Sequence, residues 1–307
     1  MSLKEINLDL TRVTEAAARA ASGWIGSGDK ESADKAATEA MRTRLNQINF
    51  AAEVVIGEGI KDKSFGLFAG EKVGAMAKDS QALYALAVDP IEGTRPVANS
   101  GPESTSVLAV ASRGCLFSTG EFYMNKLAYG PEIASKLELD ISDPLDKTIK
   151  VVSAVTGKDV RKIVVCVLDR PRHMKLIAEL RKIGVRIKLI QDCDVSGAIA
   201  TCLPDSGIDL LCGIGGAPEG VISACAIKCL RGGFKAQVMR RDFTPANNTV
   251  YSVEDLVKGD CVFAATGITT GSLLRGVRYT SLGAVTHSVF MRSESGTVRW
   301  LTAFHGN

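Results

Sequence analysis

Leu83-Tyr84-Ala85-Leu86-Ala87-Val88-Asp89-Pro90-Ile91-Glu92-Gly93-Thr94 is an apolar run that closes on an acid, a proline and a Gly-Thr pair. The run predicts a strand over 83–89, bounded by turn chemistry. Pro90 fixes the backbone and Gly93 permits close approach to an anion. Asp89 and Glu92, three residues apart, can converge on one hard cation, with the Thr94 hydroxyl beside them. On spacing alone a second reading stands next to this one, in which Asp89 only caps backbone N–H groups at a strand-to-helix turn.

Working outward, Ile6, Leu10, Val13, Ala17 and Ala20 recur at helical spacing up to Trp24; Gly26-Ser27-Gly28 interrupts them, and a second helix is predicted from near Ser32 to near Ile48. Strands are predicted at 53–57, 104–111, 115–118 and 122–128 with no room for helices after 104, so the N-terminal half reads as a mixed, mostly antiparallel sheet packed on helices. Beyond Pro131 the grammar changes. Strands at 163–169, 185–190 and 208–214 alternate with helices at 172–183, 195–202 and 219–230, which predicts a largely parallel sheet holding ligands past the C-terminal ends of its strands. Strands at 261–266, 285–293 and 298–303 finish the chain. The stretch 131–146 is the linker candidate, giving expected domains at 1–145 and 146–307.

Composition excludes several classes. Lys and Arg number 37 against 34 Asp and Glu, a net charge of +3, which argues against a nucleic-acid partner. With 3 His in 307 residues, a His-rich metal centre is ruled out and any metal falls to oxygen ligands. The 8 Cys form no CxxC pair, several sit inside apolar runs, no secretory signal is evident at the start, and no apolar run approaches a membrane span. The expected setting is the cytoplasm, without a membrane.

Four other clusters carry chemistry. Gly57-Glu58-Gly59-Ile60-Lys61-Asp62 follows a strand, and Gly28-Asp29-Lys30 leads to Asp34 at a helix start; a tight turn and an Asp29 or Ser32 cap are the bland readings of each. Gly213-Ile214-Gly215-Gly216-Ala217-Pro218-Glu219-Gly220 reads as a Gly-rich loop entering a helix, suited to phosphate, and it fits neither the Walker pattern nor GxGxxG. Asp169-Arg170-Pro171-Arg172-His173 puts two guanidinium forks at a strand end, and Asp192-Cys193-Asp194 offers acceptors for sugar hydroxyls, with Asp194 equally an N-cap. His173, without a His partner, reads as structural, and Cys193 has no activating His nearby. Strand-end carboxylates, phosphate-suited loops and no His set together indicate metal-assisted hydrolysis of a phosphate ester.

Asp89-Pro90-Ile91-Glu92-Gly93-Thr94 resembles the signature of the lithium-sensitive, metal-dependent phosphatases. Arg12-Val13-Thr14-Glu15, Gly28-Asp29-Lys30, Val55-Ile56-Gly57-Glu58-Gly59, Gly70-Glu71-Lys72-Val73-Gly74, Tyr123-Met124, Arg170–His173, 213–220 and Ala264-Ala265-Thr266-Gly267-Ile268 extend the resemblance, in order and over nearly the whole chain, to bacterial class II fructose-1,6-bisphosphatases. The resemblance implies a layered α/β/α/β/α sugar-phosphatase fold and hydrolysis of the 1-phosphate of fructose 1,6-bisphosphate, with sedoheptulose 1,7-bisphosphate as a further candidate substrate. It implies Mn²⁺ or Mg²⁺, with Asp34 and Glu58 on one ion and Asp89, Glu92 and Glu219 on a second. Thr94 would orient water, Asp62 take its proton and Lys30 assist at the scissile phosphate. Substrate would meet Glu92, Gly93, Thr94, Tyr123, Arg170, Pro171, Arg172, Asp192, Cys193, Asp194 and Gly216, and a homo-oligomer, dimer or tetramer, is implied. A monophosphatase for an inositol phosphate and a non-catalytic sugar-phosphate binder are the alternatives; the Arg170 and Arg172 pair argues against the first and the carboxylate set against the second. Two departures mark this chain: Ile60 stands where the family turn carries a second Glu, and Cys193 stands where the family reads Asp-Gly-Asp. The stretch 239–260 is also shorter than in the family.

Overall fold

A computed structural model describes residues 7–59, 65–77, 81–120 and 122–306. The first apolar periodicity forms α1 (Asn7–Ser22), and α2 (Lys30–Leu45) starts on Asp29, whose Oδ1 accepts from the Ser32 N–H at 3.0 Å. There follow β1 (Ala52–Ile56), β2 (Lys72–Val73), β3 (Tyr84–Glu92), α3 (Thr94–Ala98), β4 (Thr105–Ser112), β5 (Tyr123–Tyr129), α4 (Pro131–Ala134), α5 (Leu145–Thr156), β6 (Val164–Leu168) and α6 (Met174–Ile183). The chain continues through β7 (Arg186–Ile190), α7 (Asp194–Ala200), β8 (Leu210–Gly216), α8 (Ala217–Cys229), β9 (Gly233–Met239), β10 (Pro245–Ser252) and α9 (Val253–Leu256). It ends in β11 (Cys261–Gly267), β12 (Arg278–Thr280), β13 (Gly283–Arg292) and β14 (Thr297–Gly306). Among the described residues no helix is long and apolar enough to cross a membrane.

The chain divides into two compact units, Met1–Ser118 with Lys258–Asn307, and Thr119–Val257. In the first, the sheet runs β12-β13-β11-β4-β3-β1-β2, with β14 also on β13, and β1 with β3 is its parallel pair. Small residues let α1 approach closely: Ala17, Ala18 and Ala21 with Leu10 and Val13 are buried against Ala37 and Met41 of α2 and against Leu86, Val88, Leu108, Val110 and Phe290 of the sheet. Each fully buried large aliphatic there contributes about 1.5–3 kcal/mol. In the second unit the sheet runs β10-β9-β5-β8-β6-β7, and Ile149, Val152, Ile177 and Leu180 of α5 and α6 pack on Val165, Val167, Leu127 and Leu210.

The α/β class with a mixed, mainly antiparallel first sheet holds, and the structure corrects four finer expectations. Parallel pairing in the second sheet is confined to β8-β6-β7, because β5, β9 and β10 add antiparallel partners beside β8. The expected boundary at 145 falls inside the second unit, and residues 258–307 rejoin the first, because β11 pairs antiparallel with β4. The linker candidate 131–146 is packed structure: Ile133 and Leu139 are buried, and the Leu139 N–H donates to Tyr129 Oη at 3.1 Å. The strand expected at 115–118 reduces to a single bridging residue, Leu116.

Gly57 and Gly59 follow β1 for different reasons. A Cβ at Gly57 would run into the Leu67 carbonyl oxygen and lie 2.7 Å from Val54 Cγ1, whereas Gly59 has open space around it but a φ of 64°. Gly57→Ala is expected to cost about 1–3 kcal/mol through overpacking, and Gly59→Ala about 1 kcal/mol through backbone strain. Urea denaturation of both variants checks the order, and a Gly57→Ala protein as stable as wild type would remove the steric account.

Candidate active site

The parallel register of β1 on β3, Val54 beside Leu86 and Ile56 beside Ala87, brings the C-terminal ends of both strands to one edge of the first sheet. Glu58 follows β1 there and Asp89 lies near the end of β3. Pro90 removes a ladder donor, and the β3–β4 register shifts between Asp89 and Glu92, as a proline inside a strand requires. Asp89 Oδ1 accepts from the Ile91 N–H at 3.1 Å, so the carboxylate braces its own bulge. Glu92 is buried, and its Oε2 accepts from Thr105 Oγ1 at 3.2 Å across the β3–β4 pair. Gly93, at φ 91°, then turns the chain so that Thr94 opens α3.

The helix break meets this motif. Gly26 and Gly28 donate to the carbonyls of Val97 and Ala98 at the end of α3, both at 2.9 Å, which fixes the start of α2 beside α3. Lys30 is exposed on the first turn of α2 and Asp34 half-buried on the second. Burial pushes the Asp34 carboxyl above the ordinary carboxylate range, and among the described residues no group pairs with it. The structure thus places Asp89, Glu92, Gly93 and Thr94 in one turn of the first unit, with Glu58 after the neighbouring parallel strand and Asp34 on α2, which packs against α3 and β3. Among the described residues no three acidic, His or Cys groups stand close enough together to hold a metal ion. Asp62, with Ile60 and Lys61, lies outside the described residues.

In the second unit the glycine run is a strand, since 210–216 pairs along its whole length with β5. Its glycines make room for charge. A Cβ on Gly215 would collide with Asp194 Oδ2 and stand 2.9 Å from Lys126 Nζ, and one on Gly216 would collide with the Glu219 carboxylate. Lys126 and Asp194 form an ion pair at 2.7 Å with side-chain exposures of 1% and 8%. Glu219 opens α8 with Pro218; its Oε2 is sealed from solvent without a hydrogen-bond partner. Burial raises its proton affinity, Lys126 opposes that and Asp194 adds to it. A carboxyl oxygen sealed without a donor, like the unpaired Asp34 carboxyl, fits a hard divalent cation as its missing partner.

The two arginines divide their work. Arg170 Nη2 donates to Asp192 Oδ1 at 2.5 Å and its Nη1 to the Asp169 carbonyl at 3.0 Å. Arg172 Nε donates to the Ile214 carbonyl at 2.9 Å, and its guanidinium lies over the rings of Tyr123 and Phe243. His173 is structural: its Nδ1–H donates to the Leu168 carbonyl at 2.7 Å, and its Nε2 accepts from the Ile214 N–H at 2.7 Å, which sets the tautomer. Cys193, at φ 68°, holds the left-handed position before α7, and Asp194 is the first helical residue, with its carboxylate on Lys126 instead of on backbone caps.

The family model of bacterial, glpX-encoded fructose-1,6-bisphosphatases matches residues 4–305. The chain belongs to this family. It is 39% identical over 325 aligned positions to fructose-1,6-bisphosphatase 1 class 2 of Escherichia coli strain K12, covering 98% of this chain and 95% of the relative. The same figures hold for the class 2 enzyme of Shigella flexneri. Among solved structures, inositol monophosphatase from Anabaena (Nostoc) sp. PCC 7120 aligns at 12% identity over 65% of this chain and 71% of that one, with a TM-score of 0.34.

For this fructose-1,6-bisphosphatase family member, sequence reasoning missed Lys126 and Phe243. Lys126 had a signal, a lone lysine within the apolar strand Tyr123–Tyr129. Phe243 had none, because its contact with Arg172 comes from a hairpin that 239–260 did not announce.

Two expectations follow from the buried charges. Burial, the largest influence, and the neighbouring arginines depress His173's proton affinity against the Leu168 hydrogen bond, so the folded protein takes up a proton there less readily than the unfolded chain, which protonates below about pH 6.5. Its stabilising contribution is therefore full above about pH 6.5 and is lost as pH falls from there. Between about pH 7 and about pH 5, His173→Gln should lose less unfolding free energy than wild type in urea titrations; equal losses would exclude His173 as a source. Lys126→Met, which strands Asp194 beside Glu219, should cost about 3–5 kcal/mol, and adding Asp194→Leu should recover much of it. The same titrations read this, and a double variant no more stable than the single one would count against the pairing.

Proposed function

We propose that the protein hydrolyses the 1-phosphate of fructose 1,6-bisphosphate, giving fructose 6-phosphate and inorganic phosphate. Family membership over residues 4–305 carries the reading, and the carboxylates at the shared end of β1 and β3 support it. Asp34, Glu58, Asp89 and Glu92 of the first unit and Glu219 of the second are the proposed ligands of divalent cations, Mn²⁺ or Mg²⁺. Such an ion supplies charge neutralisation on the phosphoryl oxygens and a bound water of lowered pKa.

The chain's own groups do the rest. Thr94, aimed by the Gly93 turn, orients the water that attacks phosphorus, Asp62 takes its proton, and Lys30 offsets charge at the scissile phosphate as the bond to the sugar oxygen breaks. Asp192, held by Arg170, and Asp194, held by Lys126, accept from sugar hydroxyls, with Cys193 in the turn between them and Gly216, beside the Glu219 carboxylate, also meeting the substrate. Tyr123, Pro171 and Arg172 meet the phosphate that is not cleaved. That second phosphate is what favours a bisphosphate over an inositol monophosphate. All eight cysteines are free thiols and seven are buried, which suits a reducing cytoplasm, and a homo-oligomer belongs to the same reading.

Phosphate release from fructose 1,6-bisphosphate is expected with Mn²⁺ or Mg²⁺ and should stop with EDTA. Asp89→Asn and Glu58→Gln should lower kcat by roughly 10²-fold or more and should blunt the rise in melting temperature that the metal alone produces in wild type. Both variants turning over at the wild-type rate would sink the ligand assignment, and no metal-dependent release from any sugar bisphosphate would sink the function.

A further inference from the structure

The turn joining β9 to β10 is closed by its own hydrogen bonds: the Arg240 N–H donates to the Thr244 carbonyl at 2.8 Å and the Phe243 N–H to the Arg240 carbonyl at 3.0 Å. Such a three-residue loop ends in a left-handed residue, a position glycine ordinarily fills. Here it is Phe243, at φ 65°. A bulky side chain in that region costs about 1–2 kcal/mol, and such outliers persist where the surrounding contacts hold them. The contacts are specific. The Phe243 ring stands edge-on to Tyr123 with centroids 4.9 Å apart and a 63° tilt, and the Arg172 guanidinium carbon lies 5.2 Å from its centroid and 5.6 Å from that of Tyr123.

Arg172 is therefore fixed on three sides, by the two rings and by the Ile214 carbonyl at Nε. Among the described residues its terminal Nη groups make no hydrogen bond. A fork held rigid with its outer donors unspent is pre-organised for a tetrahedral oxyanion, so less side-chain freedom is lost on binding. Arg170, committed to Asp192, is not in that state.

We propose that Phe243 is a positioning residue for substrate specificity, holding the Arg172 fork toward the phosphate of the sugar that is not cleaved. This rests on the function proposed above. The test uses the full chain as wild type, Phe243→Gly, Phe243→Leu and Phe243→Tyr. Phe243→Gly removes the ring and relieves the backbone, so its melting temperature should equal or exceed that of wild type, while Phe243→Leu keeps apolar bulk without a π face. Calorimetric titration with fructose 6-phosphate should show affinity weakened by about tenfold in the Gly and Leu variants, equivalent to about 1.4 kcal/mol. KM for the bisphosphate should rise in parallel with kcat within about twofold, and Phe243→Tyr should restore both. Unchanged affinity in the Gly and Leu variants, a fall in kcat at constant KM, or failure of Tyr to restore binding would overturn the proposal. Wild-type turnover tests the underlying reading separately: no turnover of the bisphosphate overturns that reading, whereas turnover with unaltered variant affinity overturns only the role of Phe243.

Discussion

The site depends on one pairing, that of β1 with β3 in parallel. Antiparallel neighbours send successive strand ends to opposite edges of a sheet, so two consecutive C-termini share an edge only if the strands run the same way. In a sheet otherwise antiparallel, this pair puts the segment after β1 and the Asp-Pro-Ile-Glu end of β3 side by side. The hydrogen bonds from Gly26 and Gly28 to the end of α3 then bring the start of α2 to the same motif. Segments that are distant in sequence and carry acids are brought together by backbone geometry alone, before any side chain is considered.

The second unit shows how charge is accommodated inside a sheet. Lys126 and Asp194 are buried as a pair, and the strand passing them has glycines where side chains would displace the carboxylates. Burial out of reach of water, reinforced by Asp194 and only partly offset by the Lys126 charge, explains why Glu219 holds its proton more tightly than an ordinary glutamate. The glycines of 213–216 thus serve side-chain charge more than backbone freedom, although Gly213, at φ 125° and against the His173 ring, needs both.

Much of this was legible in the residues. The Leu83–Val88 periodicity, the breaks at Gly26 and Gly28 and the strand–helix alternation after Ile163 each reflect local rules that tertiary contacts did not override. The carboxylates were readable because acids at strand ends, flanked by Gly and Pro, are costly to explain by packing. What was not legible is non-local. The membership of β5 in the second sheet is set by its pairing with β8 and β9, and the alternation of Tyr123–Tyr129 is compatible with either sheet. The glycine run read as a loop because glycine disfavours strands, and only the neighbouring Asp194 and Glu219 explain its extended form. Cys193, visible as an oddity, proves to occupy a left-handed position where a glycine would be unstrained.

The insertion of residues 119–257 between β4 and β11 also has a consequence for how the chain is made. Emerging from the ribosome, the second unit is a contiguous stretch and has all its strands before β11 exists. The first unit does not: β4, buried along nearly its whole length in the finished fold, lacks its outer partner until Cys261–Gly267 is synthesised, and β13 and β14 come later still. An open apolar strand edge during synthesis is a template for pairing with other chains. The carboxylates at the ends of β1 and β3 therefore sit on the part of the molecule that matures last, so a nascent chain can complete its second unit well before its first sheet is finished.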